Sequence, residues 1–527
     1  MLDVGLGSAQ DRAATTVCPF CGTGCSMLLV DSTAYPRLHH PVTQGALCLR
    51  GWSTGELGGS PLRVETAYQR RRGEALRPVR VEEALTAATD RLQGIRDAYG
   101  GASIGILGSA RITVEEVLLL RRLAHALGTP HLDSLQRLGY VPLAPVDLKD
   151  IESAPRLTVL GANLHERHPQ VGRRVLRAMD RGSDVRVVHA RRVPPVGAGA
   201  LHRAVLPGHE LDALEGPEPN ELVLVSSELA LAGQGGAAAK RLAGKRAIYL
   251  SDYVNQRGAV EAGLHPLPDG LSAWEMLGAA AEGRLKALLV FADDPFEFFP
   301  DLAARAFAGA EFTLVVDAIK TASGRHADLV LPGGLLAEKH GTVVNMEGRA
   351  QEIAPIADRS NVWTEGAIAA FLLDRAASAD EIGFTAPQTL GAAGPDAERP
   401  TEARPFIAAL DAASFWGGHA LAAATVSAWR EERNLLADFP EGYVSLNRED
   451  AREMRVSQGA RVTIESAAGS IALPVRYDAR AQRGAAWFPM SCWERAGSAL
   501  GALEFDPGLR IPVFRPRAVR VSRTEGS

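Results

Sequence analysis

Four of the chain's five cysteines, Cys18, Cys21, Cys25 and Cys48, crowd into its first tenth. The first three are spaced C-x2-C-x3-C in the phrase CPFCGTGC, and the fourth follows in ALCLRG. Thiolates are soft ligands, and short spacings of this kind suit either zinc or an iron–sulfur cluster. Structural zinc usually draws on two close cysteine pairs. A trio with one remote partner suits a cubane [4Fe-4S] cluster, which takes one thiolate per iron. The expectation is a [4Fe-4S] centre that moves electrons, with zinc as the alternative. Gly22, Gly24, Gly45 and Gly51 fit a backbone that wraps such a centre closely. Arg50 follows the fourth cysteine by two residues. A cation there would raise a cluster's potential; a solvated surface arginine is the alternative. Cys492 stands alone and is expected to be a buried structural thiol.

Several elements must position these residues. With 527 residues, the chain is long enough for three or four domains by a rough length prior. Hydrophobic residues make up 46% and charged residues 23%, as in ordinary globular proteins. A net charge of -5 gives no general pull toward nucleic acid. No apolar run is long enough to span a membrane. The first residues carry Asp3 and Asp11 and lack a secretory pattern. Five cysteines in this length do not make a disulfide framework. A cytoplasmic setting is expected, with membrane association through partner subunits left open.

Residues 1–60 read as the cysteine-bearing lobe, with a short strand in CSMLLVD. Residues 61–215 and 216–385 each read as an α/β domain. Near-continuous apolar strands (ASIGILGSA, RLTVLGAN, SDVRVVHARR, ELVLVSSE, KRAIYLSD, LKALLVFADD, FTLVVDAI) alternate with helices, which argues for parallel sheets covered on both faces. One helix is fully punctuated. Thr113 is the N-cap, Glu116 completes a capping box and Gly128 ends it. Part of the first sheet could be completed by later segments. Ligands of such sheets sit beyond the strand C-termini, so two half-sites could share one large ligand. Ala-rich runs such as ALTAATD and AALDAASF read as helix. Residues 386–439 read as a helical or linker segment, with TAPQTLGAAGPDAERPTEARP as a loop. Residues 440–527 carry short strands (RVTIES, SIALPVRYD, AAWFPMS, RAVRVS) and read as a β-barrel domain.

In this order the motifs resemble the molybdopterin oxidoreductase superfamily, in particular formate dehydrogenase alpha subunits and the large G subunit of NADH:quinone oxidoreductase. CPFCGTGC with ALCLRG resembles its [4Fe-4S] lobe. LGANLHERHPQVGRRVLRAMDRGSDVRVVHARR resembles one pterin-dinucleotide half. VFADDPFEFFP and TASGRHADLVLPGGLLAEKHGTVVNMEGRAQ resemble the other, and FDPGLRIPVFRPRAVRV the C-terminal barrel. The resemblance covers nearly the whole chain. It implies cluster ligands Cys18, Cys21, Cys25 and Cys48, and molybdenum or tungsten held by a bis-pyranopterin guanine dinucleotide. The cofactor-side candidates it implies are Arg50, Gly161, Asn163, Pro169 and Arg191 in the first part. In the second they are Asp294, Pro295, Thr321, Asp328, Pro332, Glu338, Asn345 and Arg349.

Departures from the family pattern shape the functional expectation. Formate dehydrogenases follow Arg-Leu with a metal-binding Cys or selenocysteine and then His. Here HLDSLQRLGYVP retains Arg137 and Leu138 but has Gly139 and Tyr140 at those places. Glycine offers no ligand, and tyrosine ionises too high for a proton shuttle at neutral pH. Relatives such as arsenite oxidases leave the metal without a protein ligand, so a metal cofactor stays open. Arg50 replaces the family's Lys, and His189 in HARR replaces an Asp, with Arg191 and Arg192 after it. His165 and His168 are expected to be surface residues at a helix start. The stretch from Asp212 to Leu231 is short beside catalytic relatives, and GTVVNMEGRAQ is closer to the large chain of NADH:quinone oxidoreductase. No Gly-x-Gly-x-x-Gly follows a strand, so electrons need a partner carrying iron–sulfur, flavin or NAD sites. Two readings result. One is a [4Fe-4S] relay subunit of a hetero-oligomeric redox complex without formate chemistry of its own. The other is a catalytic Mo/W enzyme whose metal has no protein side-chain ligand.

Overall fold

The computed structural model describes residues 13–70, 74–214, 220–355, 363–376, 396–411 and 441–524. It falls into two compact units. The first holds the described residues of 1–137 and 252–388; the second holds Leu138–Ser251 and the described residues of 389–416 and from 441 on.

The first unit is built on a seven-stranded sheet. Its strands lie in the order Arg77–Val79, Ala67–Gln69, Leu329–Pro332, Phe312–Asp317, Ala287–Phe291, Ile104–Leu107 and Leu132–Asp133. The five strands from Leu329–Pro332 onward are parallel. Ala287–Phe291 is buried at every position, as a parallel strand covered on both faces must be. Helix Val114–Leu127 packs beside this sheet and begins as the sequence predicts. Thr113 Oγ1 accepts from the Glu116 N–H at 3.2 Å, the Glu116 carboxylate accepts from the Thr113 N–H at 2.9 Å, and Gly128 ends the helix at φ +73°. A small antiparallel sheet of Ala13–Val17, Ser26–Val30 and Thr33–Pro36 carries the cysteine loop. The hairpin Gly341–Val344/Ala350–Ile353 lies against it, and the Ala354 N–H just beyond the hairpin donates to Thr15 O at 3.0 Å.

The second unit holds an all-parallel sheet in the order Leu201–Ala204, Asp184–His189, Arg156–Leu160, Glu221–Ser226, Ala247–Leu250. It also holds a closed barrel of Phe406–Asp411, Ala485–Pro489, Val444–Leu446, Ser470–Tyr477, Arg461–Glu465 and Arg517–Arg523. Among the described residues no helix is long and apolar enough to cross a membrane.

Three expectations are corrected. The α/β domains are not the contiguous stretches 61–215 and 216–385. Strands between Ala67 and Asp133 share a sheet with strands between Ala287 and Pro332, and the strands of the five-stranded sheet come from the sequence between them. Local alternation of strand and helix does not reveal which strands share a sheet. The barrel does not begin at 440, because Phe406–Asp411 closes it by pairing with Ala485–Pro489 and Arg517–Arg523. The Ala408–Asp411 part of AALDAASF is therefore strand, because tertiary pairing overrides alanine's helix propensity; the remainder of that run lies outside the described residues. Most of the 386–439 segment also lies outside them.

Replacing Thr113 by Ala removes the capping hydroxyl. The expected loss is about 1–2 kcal/mol of stability, read from denaturant unfolding of the whole chain; a midpoint equal to wild type would contradict the cap's role.

Candidate functional site

The cysteine loop leaves strand Ala13–Val17 and returns as Ser26–Val30, so it is closed at its base. The Cys18 N–H donates to Cys25 O at 2.9 Å, and the Gly24 N–H to Cys21 O at 3.2 Å. Cys18, Cys21 and Cys25 are buried, and Cys48 is half-buried at the start of the short helix Leu49–Trp52. None of the five cysteines is joined in a disulfide. Burial pushes the Cys18 thiol well up, and Cys48 and Cys21 add to this as nearby like charges. Burial also raises Cys21, opposed first by the Arg50 guanidinium and reinforced by Cys48. The remote Cys48 and Arg50 thus share one electrostatic neighbourhood with Cys18 and Cys21. Arg50 is buried rather than solvated. Among the described residues no three His, Cys, Asp or Glu side chains are grouped as around a single ion.

Sequence reasoning missed what holds this loop. Three consecutive carbonyls bond to the hairpin 341–353: Gly22 O accepts from the Met346 N–H at 2.8 Å, Thr23 O from Asn345 Nδ2 at 3.1 Å, and Gly24 O from Gln351 Nε2 at 3.1 Å. Gly24 lies at φ +68°, and a Cβ there would sit 2.6 Å from Asn345 Cβ. Asn345 also shapes the hairpin turn by accepting from the N–H groups of Glu347 and Arg349. No local sequence signal links positions 322 residues apart.

The other first-unit candidates are engaged inside the protein. Asp294 accepts from Ala322 N–H, Ser323 N–H and Ser323 Oγ, joining two helix starts; burial and Glu297 push its carboxyl up to about 6. Pro295 opens one of those helices, and Thr321 caps the other through the Gly324 N–H. Asp328 binds the Thr313 N–H and hydroxyl across the sheet, and Pro332 ends its strand. Glu338 pairs with buried Arg63 at 2.8 Å. Arg349 pairs with Glu347, and Arg137 forks onto Asp133 at 2.7 and 2.9 Å. At the switch point between Ile104–Leu107 and Ala287–Phe291, where ligands of such sheets bind, buried Gln136 bonds Ser109 Oγ, the Ala110 N–H and Ala292 O.

A cavity beside the loop is lined by Pro19, Arg111, Asp317, Leu335 and Glu365. Burial, with Glu365 nearby, pushes the Asp317 carboxyl up to about 8, although the Ile319 N–H opposes the rise.

In the second unit, Gly161 and Asn163 follow strand Arg156–Leu160 at the corresponding switch point. Gly161 adopts φ +66° with Leu229 packed against it. Asn163 caps a short helix through the Glu166 N–H, and Pro169 opens the helix Pro169–Asp180. Arg191 pairs with Asp411 at 2.7 Å and Asp478 at 3.4 Å and stacks on Trp487 at 4.2 Å. Arg192 is exposed. Burial and Arg191 push buried His189 down to about 3. His165 is exposed, but His168 is buried against Ser251 O at 2.9 Å, a correction to its surface placement. Cys492 is buried. Gly139 lies at φ +78°, and a Cβ there would stand 2.7 Å from Ser227 Cβ. Tyr140 meets Tyr249 edge to face.

Gly139→Ala is expected to cost roughly 1–3 kcal/mol for the left-handed backbone alone, plus the Ser227 clash, measured by denaturant unfolding; unchanged stability would sink the assignment of a closed position. The pH dependence of Asp317 has a definite sign. Its carboxyl ionises near 3.8 when unfolded but near 8 when folded. Its contribution therefore favours folding below about pH 4 and is lost as pH rises toward about 8. Asp317→Asn should flatten the fall in unfolding free energy across that window, and an unaltered slope would refute it.

Three family models match in chain order. They are the molybdopterin oxidoreductase Fe4S4 domain over residues 11–57, molybdopterin oxidoreductase over 210–360, and the molydopterin dinucleotide binding domain over 419–514. The chain is 22% identical to the F420-dependent formate dehydrogenase 1 subunit alpha of Methanococcus maripaludis, covering 96% of this chain and 99% of that one. It is 26% identical to the G subunit of NADH-quinone oxidoreductase from Mycobacterium bovis, covering 91% and 68%. Acetylene hydratase from Pelobacter acetylenicus shares the fold at a TM-score of 0.67 and 12% identity, over 97% and 100% of the two chains. With its Fe4S4-type lobe, α/β sheets and terminal barrel, the chain belongs to the molybdopterin oxidoreductase superfamily.

Proposed function

We propose that this chain is a [4Fe-4S] subunit that relays electrons within a larger redox complex and has no formate dehydrogenase chemistry of its own. The observation that carries this reading is a contrast. The cysteine loop is fully equipped and braced, whereas the position of the family's metal-binding residue is a left-handed glycine closed by Ser227.

The donor set fits a cubane. Cys18, Cys21 and Cys48 are electrostatic neighbours, Cys25 packs in the same buried core as Cys18, and three of the four thiols are buried. Turning such thiols into thiolates without a compensating cation is costly, and an iron–sulfur core supplies that charge. Cys18, Cys21, Cys25 and Cys48 would hold it, and buried Arg50 would raise its potential. The pterin-side candidates do not fit their group in the same way. Asp294, Asp328, Glu338, Thr321, Asn163 and Arg191 already have protein partners. No step is therefore assigned to a pterin or to molybdenum or tungsten.

A single cluster needs a neighbour to exchange electrons with. Similarity to the G subunits of NADH-quinone oxidoreductases supports a hetero-oligomeric setting with iron–sulfur, flavin or NAD-binding subunits. Cysteines that are few and outside any disulfide support a reducing, cytoplasmic one. One observation favours the catalytic alternative: Ser227 Oγ, Arg191 Nη2 and Trp487 Nε1 in the second unit are buried without a hydrogen-bond partner, as they would be if a polar ligand met them.

Metal analysis of the native complex, with pterin extraction, separates the readings. The proposal expects about four irons per chain after subtracting the partners' iron, with neither stoichiometric Mo or W nor pterin. Stoichiometric Mo or W with two pterins would establish the catalytic alternative, and zinc in place of iron would overturn both.

A further inference from the structure

Among the described residues eight large hydrophobic side chains are exposed, and five of them belong to the cysteine-bearing lobe: Leu28, Tyr35, Leu38, Leu49 and Trp52. Single exposed apolar residues are ordinary, but a contiguous group marks an interaction surface. Leu28 and Tyr35 stand directly opposite each other on the paired strands Ser26–Val30 and Thr33–Pro36, so they share one face. Leu38 follows those strands and lies on Gly45, where a Cβ would come within 2.8 Å of Leu38 Cδ1. Leu49 and Trp52 begin and end the short helix Leu49–Trp52, which packs against strand Thr33–Pro36.

The same strands turn their other side chains toward the cysteines. Met27, Leu29 and Ala34 alternate inward into one buried core with Cys18 and Cys25. One β-layer therefore separates that core from the apolar face. Cys48, the half-buried cysteine, immediately precedes Leu49. Electron transfer falls steeply with distance, which favours a partner that approaches over this thin layer.

Charge gives the partner its sign. Arg37 and His39, both exposed, flank Leu38. Burial, with the Arg37 and Arg349 guanidiniums nearby, holds His40 below its ordinary pKa; Glu347, which opposes this, is paired with Arg349. The exposed carboxylate Asp31 stands at the other end of the strand pair, in its turn.

We infer that this face of the cysteine lobe docks the subunit that exchanges electrons with the cluster, and that the partner's contact surface is apolar at its centre and rimmed by carboxylates. This rests on the relay reading above and names the place and chemistry of its partner. Trp52 and Tyr35 are the anchors, as those residue types are in protein interfaces, and Arg37 steers the carboxylates.

The test compares native complexes purified through this chain: wild type, Leu38→Glu, Leu38→Lys and the exposed control Leu201→Glu in the second unit. The chain's reduced-cluster resonance reports that the lobe is intact. Leu38→Glu sets a carboxylate against the partner's carboxylates, whereas Leu38→Lys loses only the apolar contact. Dissociation of the electron-carrying subunit is read by diluting each complex. The expected result is an intact cluster throughout, roughly tenfold or greater weakening in Leu38→Glu, less in Leu38→Lys and none in Leu201→Glu. Equal affinity in all four, or a greater loss in Leu38→Lys than in Leu38→Glu, overturns the inference. If Leu38→Glu loses its cluster, the photo-crosslinker benzoylphenylalanine in place of Trp52 decides. In the native complex it should join an iron–sulfur- or flavin-bearing subunit at a peptide rich in Asp and Glu. No cross-link, or one to this chain, to a second copy of it or to a subunit without a redox centre, overturns the inference. A wild-type complex in which this chain holds no [4Fe-4S] cluster would sink the relay reading itself, before any variant is compared.

Discussion

A loop that wraps a buried centre cannot satisfy its own backbone. Its peptides curve around the cysteines instead of joining a ladder, and buried carbonyls left unpaired are costly. Here Gly22, Thr23 and Gly24 find donors on a hairpin more than 300 residues away in the chain. That constraint organises the first unit. The hairpin must be held against the small sheet, so Ala354 joins Thr15, while Asn255 and Glu115 anchor its far side. Gly24 must be glycine twice over, for its positive φ and for the closeness of Asn345.

The second unit shows the same doubly wound logic. Gly161 and Asn163 sit where a doubly wound sheet presents ligands, at the end of Arg156–Leu160. Leu229 packs on Gly161, and Ser227 closes on Gly139. Arg191, a cofactor-side candidate by resemblance, is held by two aspartates and a tryptophan face. The two places therefore differ within one chain: the cysteines stand on a braced loop, while the position of the family's metal-binding residue is a glycine in close contact with Ser227.

Local chemistry was legible in the sequence. The Thr113–Glu116 capping box and the individual apolar strand segments stand where spacing places them, because each is set by residues within a few positions. Long-range pairing was not. Ala408–Asp411, the start of AALDAASF, reads as helix until the barrel partners of its strand, Ala485–Pro489 and Arg517–Arg523, are known. The resemblance placed Asn345 beside a pterin; only the folded hairpin shows it bonded to Thr23. Likewise, buried Gln136 at the first switch point carries no motif that announces it.

The central claim is a chain that carries a working cluster and no redox-active metal at Gly139. Electron paramagnetic resonance of the native complex, poised stepwise from oxidised to reduced, tests it directly. The account predicts a reduced-cluster signal that disappears from this subunit's share when Cys48 is replaced by Ala, and no Mo(V) or W(V) signal at any potential. A Mo(V) or W(V) signal that titrates reversibly would contradict it.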